Sequence, residues 1–309
     1  MTTLRLAHLS DPHLHFRALT QESPSGLSKR SLSRWSWSRG RGELQRPEVL
    51  AAAVDDIRSH NADHIAISGD ITNFSFPGEF SAAAAWFATL GEAENVSVIP
   101  GNHDALVAVP WREGLGHWQP WMTADAPGAE PFPYLRVRGP MALIGLSSAL
   151  PTPPAFASGR LGIPQLLRLE ALLEETKARG LCRVVMLHHP PTDGVVTVRK
   201  ALRDRTAFRA VLARAGAEMV LHGHSRDARF DPLPGPNGLI AGLGLPSISA
   251  IPNRHDEGAR WHLLEIIGDA RTWTIAVTAR VYNPNRSRFE TAGRYRLLVA
   301  PASGSVTNV

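Results

Sequence analysis

Short apolar runs and stretches of helical periodicity alternate through the first three quarters of the chain. The runs at 4–9, 64–68, 96–99, 141–146, 183–187 and 218–221 have strand length and β-favouring composition, and each leads into turn-forming residues. Between them, Val49, Leu50, Ala53, Val54 and Ile57 recur at the spacing of one helix face. This predicts a helix over 47–59, with Pro47 in its first turn. Stretches 78–90 and 164–179 also read as helices, the latter closed by Gly180 as a C-terminal cap. Strand–helix alternation of this kind specifies an α/β domain. After residue 238 the runs 239–243, 247–251, 261–267 and 273–279 follow one another without helices, and we expect them to complete a second sheet packed against the first.

No internal repeat interrupts this pattern, so 1–300 reads as a single domain followed by a small, polar and flexible tail, 301–309. Segment 17–46 fits neither periodicity. It holds Lys29, Arg30, Arg34, Arg39, Arg41 and Arg46, many serines, and Trp35 and Trp37, which would share a face if the segment were a strand. It reads either as a solvated basic loop or as a lid that supplies cations and an aromatic face to a bound ligand. Contact with an anionic lipid or membrane surface is a further use for such a segment. It lacks the interleaved aromatic platforms of a single-strand binder, which argues against nucleic acid.

The chain has 309 residues, 43% hydrophobic and 20% charged, an ordinary globular composition. No apolar run approaches the roughly 20 residues of a membrane-spanning helix, and no secretory leader is visible. The one cysteine, Cys182, lies inside an apolar run and excludes an intramolecular disulfide. A reducing, cytoplasmic setting is therefore expected. The net charge of +5 favours anionic partners, among which phosphate esters stand first.

Where the predicted strands end, residues of metal-ligand type follow. The segments are Asp11-Pro12-His13, Gly69-Asp70-Ile71-Thr72-Asn73, Gly101-Asn102-His103-Asp104, His188-His189-Pro190-Pro191 and His222-Gly223-His224. Ligands of an open α/β sheet collect at the carboxyl ends of its strands, so these distant segments converge on one crevice. A mixture of Asp, Asn and His suits manganese, iron or zinc better than calcium. Two such ions about 4 Å apart need a bridging group, which one carboxylate supplies, while hydroxide between them is a nucleophile. Glycine before Asp70 and before Asn102 lets the chain turn sharply as it leaves the strand.

The ordered set Asp11-x-His13, Gly69-Asp70, Gly101-Asn102-His103-Asp104, His188-His189 and Gly223-His224 resembles the calcineurin-like metallophosphoesterase superfamily over roughly residues 4–226. A Gly-Asp pair alone carries little; the Gly-Asn-His-Asp tetrad carries more, and five pieces in order are specific. The resemblance implies a four-layer sandwich of two packed mixed β-sheets flanked by helices, and two divalent metal ions (Mn2+ or Fe2+/Fe3+, or Zn2+). It implies that Asp11 and His13 bind the first ion, that Asp70 bridges both, and that Asn102, His188 and His224 bind the second. His103 then matches the catalytic histidine that protonates the leaving oxygen, with Asp104 orienting it.

The last motif departs from the family pattern. Small-molecule phosphodiesterases of this superfamily carry Gly-His-x-His, and this chain has Gly223-His224-Ser225-Arg226. The first ion then keeps Asp11, His13 and Asp70, as in the related protein phosphatases, or is held weakly, or His222 and His224 act together in a shifted register. In the first case Arg226 would address the substrate phosphate. His189 and His222 are second ligand-shell or alternative candidates, since neighbours on a strand face opposite ways. Asn73 is a turn residue placed near the site. The isolated His8, His15, His60, His64, His117, His255 and His262 read as structural. Resemblance to the cyclic nucleotide phosphodiesterase branch implies metal-dependent hydrolysis of a small phosphodiester, such as a cyclic nucleotide, a nucleotide diphosphate conjugate or a glycerophosphodiester. The alternatives are a phosphomonoesterase or protein phosphatase-like enzyme, and a non-catalytic binding module on the same scaffold.

Overall fold

The computed structural model describes residues 2–16, 28–126, 131–253, 256–269 and 272–299. Residues 17–27 of the basic segment, His255 and the tail 301–309 lie outside the described residues. The first half of the chain runs β1 (Thr2–Leu9), α1 (Lys29–Ser36), α2 (Gly42–Leu44), α3 (Pro47–Ser59), β2 (His64–Ile67), α4 (Pro77–Leu90), β3 (Val96–Val98), α5 (Gln119–Met122), β4 (Tyr134–Arg138) and β5 (Met141–Gly145). The second half runs α6 (Ile163–Ala178), β6 (Cys182–Met186), α7 (Arg205–Ala215), β7 (Met219–His222), β8 (Arg229–Gly235), β9 (Gly238–Gly244), β10 (Arg260–Asp269), β11 (Thr272–Asn283) and β12 (Arg288–Val299).

Two six-stranded mixed sheets result, ordered β12-β11-β10-β1-β2-β3 and β4-β5-β6-β7-β9-β8. Period-two alternation decides what each strand covers. Leu143, Val184, Met186 and Leu221 join the core shared with the first sheet, while Ile144, Val185, Leu187 and Val220 face Leu166, Leu169 and Leu173 of α6 and Phe208 and Leu212 of α7. Helix α3 buries Val49, Leu50, Ala53 and Ile57, the face read from its periodicity. Each such side chain contributes about 1.5–3 kcal/mol by leaving water. Among the described residues no helix is long and apolar enough to cross a membrane.

The runs after residue 238 do not build a sheet of their own. Strand β9 pairs in parallel with β7 in the second sheet, whereas β10 pairs antiparallel with β1 and brings β11 and β12 into the first. Periodicity says that a run is a strand and leaves its partner open; the free side of β1 is where β10 finds one. Residues 247–251 are not a strand, only a loop with an isolated bridge between Gln45 and Ala250. Strand β8 escaped sequence detection because it contains Pro232 and Pro234, which an edge position tolerates.

Candidate metal centre

The loops leaving β1, β2 and β7 carry six residues with positive φ that are not glycine: Asp11 (52°), His13 (43°), Asp70 (54°), Ser75 (56°), His224 (69°) and Arg226 (68°). Such conformations cost on the order of 1–3 kcal/mol each and persist where the surroundings impose them. Their concentration in one crevice marks it as the strained part of the molecule. Glycine serves two different purposes here. Gly69 adopts φ 101°, as a sharp turn requires, whereas Gly101 is needed for close approach, because a Cβ there would stand 2.3 Å from Asp70 Oδ1.

Asp70 sits at the centre, 3% exposed. Its Oδ1 accepts from the His103 amide at 2.7 Å, and its Oδ2 lies 3.4 Å from His188 Nε2. Asn102 Oδ1 lies 3.2 Å from the same His188 nitrogen, while His188 Nδ1 meets the Ser68 carbonyl at 2.7 Å. Asp11 Oδ1 is 4.0 Å from His13 Nε2, and Asp11 Oδ2 accepts from Ser10 Oγ at 2.5 Å and from the His224 amide at 3.2 Å. The crevice thus joins Asp11, His13, Asp70, Asn102, His103, His188 and His224. Among the described residues, two groups bring their donor atoms within 4.8 Å of one another: His13, Asp70 and His103, and Asp70, His188 and His224. Asp70 is common to both.

Burial pushes the Asp11 carboxyl up to about 6, with the neighbouring Asp70 charge adding to the rise against His188. Burial would raise Asp70 as well, but His188, His103 and His13 outweigh it and hold this carboxyl well below the usual range. His188 is driven the other way: burial opposes protonation, yet Asp70 and Asp11 lift it to about 9. Burial, reinforced by His189 and His188, keeps His224 well below its ordinary value. Buried carboxylates crowded with imidazoles need positive charge among them, and the mixed oxygen and nitrogen donors fit a divalent transition ion.

Three expected site residues turn elsewhere. Asp104 does not orient the His103 ring; its oxygens accept from Gly101 N (2.8 Å), Ile71 N (3.0 Å), Thr72 N (2.7 Å) and Thr72 Oγ1 (2.9 Å), tying two site loops together. The His103 ring is held instead by the Asn73 carbonyl, 2.8 Å from Nδ1. Burial, then the Asp70 charge, raises Asp104 to about 7 against those backbone donors. His222 lies 3.2 Å from Asp231 on β8 and takes no place in the crevice, which removes the shifted register. His189 binds Ser148 Oγ (2.7 Å) and the Ala157 carbonyl (3.1 Å), and its ring backs His224 at 4.6 Å. Arg226 is exposed and lines a small cavity together with Asp11 and His13.

Two supporting residues carried little sequence signal. Asn73 holds two of the site histidines, its Oδ1 3.1 Å from His13 Nδ1 and its carbonyl on His103. Glu79 holds Asn73 in turn, accepting from the amides of Asn73 (2.8 Å), Phe74 (3.0 Å) and Phe76 (2.8 Å). Its place two residues after Pro77, at the third position of α4, is the capping-box signal that could have found it.

The described part of the basic segment, residues 28–46, packs beside the crevice. Arg30 donates to the Phe74 and Ser75 carbonyls, and Lys29 Nζ to the carbonyl (2.9 Å) and hydroxyl (2.7 Å) of Thr152. The two tryptophans do not share a face, because they lie on helix α1 and the turn after it. Trp35 is 56% exposed and stacks under Arg39. Trp37 packs on Phe74 and stands 6.3 Å from His13 and 5.5 Å from His15. Beside His13 a largely apolar cleft of about 380 Å³ opens, lined by Phe16, Leu50, Val54, Trp86 and Arg46 among others.

A double mixed sheet with this donor set at its strand ends defines a metallophosphoesterase. The family model for calcineurin-like phosphoesterases matches residues 4–226, and the chain belongs to that family, whose members use divalent metal ions to hydrolyse phosphoric esters. The chain is 28% identical over 235 residues to a probable cyclic nucleotide phosphodiesterase of Synechococcus sp., a match covering 74% of this chain and 81% of that relative. Its fold is similar to that of a purple acid phosphatase from yellow lupin (Lupinus luteus) seeds, with a TM-score of 0.59 and 10% identity. That match covers 100% of this chain and 57% of the lupin chain, so this protein spans little more than half of the plant enzyme. It is also similar in fold to a dimetal phosphatase from Danio rerio, with a TM-score of 0.56 and 14% identity, covering 93% and 98% of the two chains.

Proposed function

We propose that the protein hydrolyses a small phosphodiester with two divalent cations, one on either side of Asp70. The observation that carries this reading is the membership of Asp70 in both donor groups, which lets one buried carboxylate serve two ions. Asp11 and His13 would hold the first ion, and Asn102, His188 and His224 the second, with manganese or iron preferred and zinc admitted by the donor set. When bound, the cations would activate water and neutralise phosphoryl oxygens. The Asn73 carbonyl at Nδ1 fixes the His103 ring, so that its other nitrogen, when protonated, delivers the proton to the leaving oxygen. Arg226, exposed beside Asp11 and His13, would offer a bidentate fork to a phosphate lying outside the small cavity it lines.

The diester preference draws on the likeness to the Synechococcus protein and on the cleft of about 380 Å³, a size that suits the organic part of a small substrate. The short ligand set of the first ion favours a phosphomonoesterase as the second reading. A lipid surface is not carried forward, because Lys29 and Arg30 are spent on carbonyls of the protein itself. A cytoplasmic setting accords with the free, buried Cys182. The test is hydrolysis of bis-p-nitrophenyl phosphate against p-nitrophenyl phosphate by manganese-loaded protein, with a chelated blank. Metal-dependent turnover of the diester is expected; preference for the monoester moves the assignment to the second reading, and no turnover of either removes both.

A further inference from the structure

Arg226 stands where the family pattern carries a second histidine, and a guanidinium has no lone pair to give a metal ion. The exchange removes a ligand from the first ion and adds a positive charge beside it. Across the same small cavity stands Asp256, 6% exposed, from the loop between β9 and β10. The cavity, about 20 Å³, is bounded by Asp11, His13, Gln45, Arg226, Ser247 and Asp256. That is room for one water or one ion and not for a phosphoryl group. Its walls offer two carboxylates, an imidazole and neutral oxygens, donors that suit a divalent transition ion, with the Arg226 guanidinium at one edge and its charge acting on Asp256.

The loop bearing Asp256 is bonded to the motif that lost the histidine, the Glu257 amide donating to the Arg226 carbonyl at 3.3 Å, and is closed on itself by the Ala259 amide donating to the Ala250 carbonyl at 2.7 Å. The Gly258 amide donates to Asp256 Oδ1 at 3.0 Å, which orients the carboxylate without neutralising it. We infer that Asp256 takes the place of the missing histidine as a ligand of the first cation, so that the loss in the last motif is made good from the C-terminal part of the chain. This rests on the two-ion reading above.

The test loads full-length protein with Mn2+ alone, desalts it, and measures manganese per chain by mass spectrometry and affinity by competition with a chelator. Two ions per chain are expected for the unsubstituted protein and for Asp227→Asn, a neighbouring acidic control. Asp256→Ala is expected to keep one ion, with the first weakened on the order of tenfold to a hundredfold. Thermal unfolding in chelator checks that the variants fold, and Asp256→Asn replaces the alanine variant if that one does not. Two tightly held ions in Asp256→Ala overturn the inference and leave the two-ion reading standing. Fewer than two ions in the unsubstituted protein overturn the two-ion reading itself.

Discussion

On the His188 side of the crevice, Asn102, His188 and His224 leave β3, β6 and β7, so both sheets contribute and each side chain follows directly from a strand. His188 is fully buried, with one ring nitrogen on the Ser68 carbonyl and the other facing Asn102 and Asp70. On the Asp11 side, Asp11 and His13 leave β1 and Arg226 leaves β7 in the same turn as His224. The rest of the wall is Gln45 from the basic segment and Ser247 and Asp256 from the loop between β9 and β10. The first side is framed by sheet hydrogen bonds and keeps the family's residues; the second is closed by loops and has exchanged one. Loop-built walls can trade ligands because no strand register must change with them.

Asp70 belongs to both sides, so its removal should erase the difference between them. Asp70→Ala is expected to lose both ions and about three orders of magnitude in turnover, the several kcal/mol that a bound cation supplies. Metal analysis beside a single-turnover assay checks this. Retention of one ion would show that the sides do not share their carboxylate.

His103 sharpens the contrast from the other direction, since it lies within donor distance of His13 and Asp70 yet is read as a proton donor. His103→Ala is expected to keep both ions and to lower turnover by about a hundredfold or more. The loss should shrink for substrates with more acidic leaving groups, which need less protonation. Loss of an ion in this variant would make His103 a ligand and undo the assignment.

The legibility of the two sides differs for the same reason as their construction. Asp11, His13, Asp70, Asn102 and His188 follow apolar runs directly, so local periodicity and ligand chemistry expose them together. Asn73 and Glu79 act through a backbone carbonyl and backbone amides, which leave only a faint helix-start signal. Asp256 lies in a loop without periodicity, some 30 residues past the last matching motif, and only the pairing of β10 with β1 brings that loop to the crevice. Trp37 was visible as a residue but not as a neighbour of His13, because segment 17–46 carries no periodicity that would place it. Strand partners after residue 238 were illegible because a strand's pattern does not name its neighbour.

The smallest expected effect separates the frame from the crevice altogether. Burial, with Arg138 and Arg136 adding, pushes His64 down to about 3; burial and Arg260 push His262 down to about 4. Both sit inside the first sheet, where His262 pairs in register with His8. Their folded values lie below the unfolded value of about 6.5, so between the two the unfolded chain binds more protons. Their contribution to stability is complete above about pH 6.5 and is lost as pH falls toward 4, at no more than about 1.4 kcal/mol per pH unit for each group. Urea unfolding in chelator at pH 7 and pH 5 isolates this from metal release. A fall in stability at pH 5 that shrinks in His262→Phe, and further when His64→Phe is added, is expected; an acid dependence unchanged in the double variant would remove both histidines from the account.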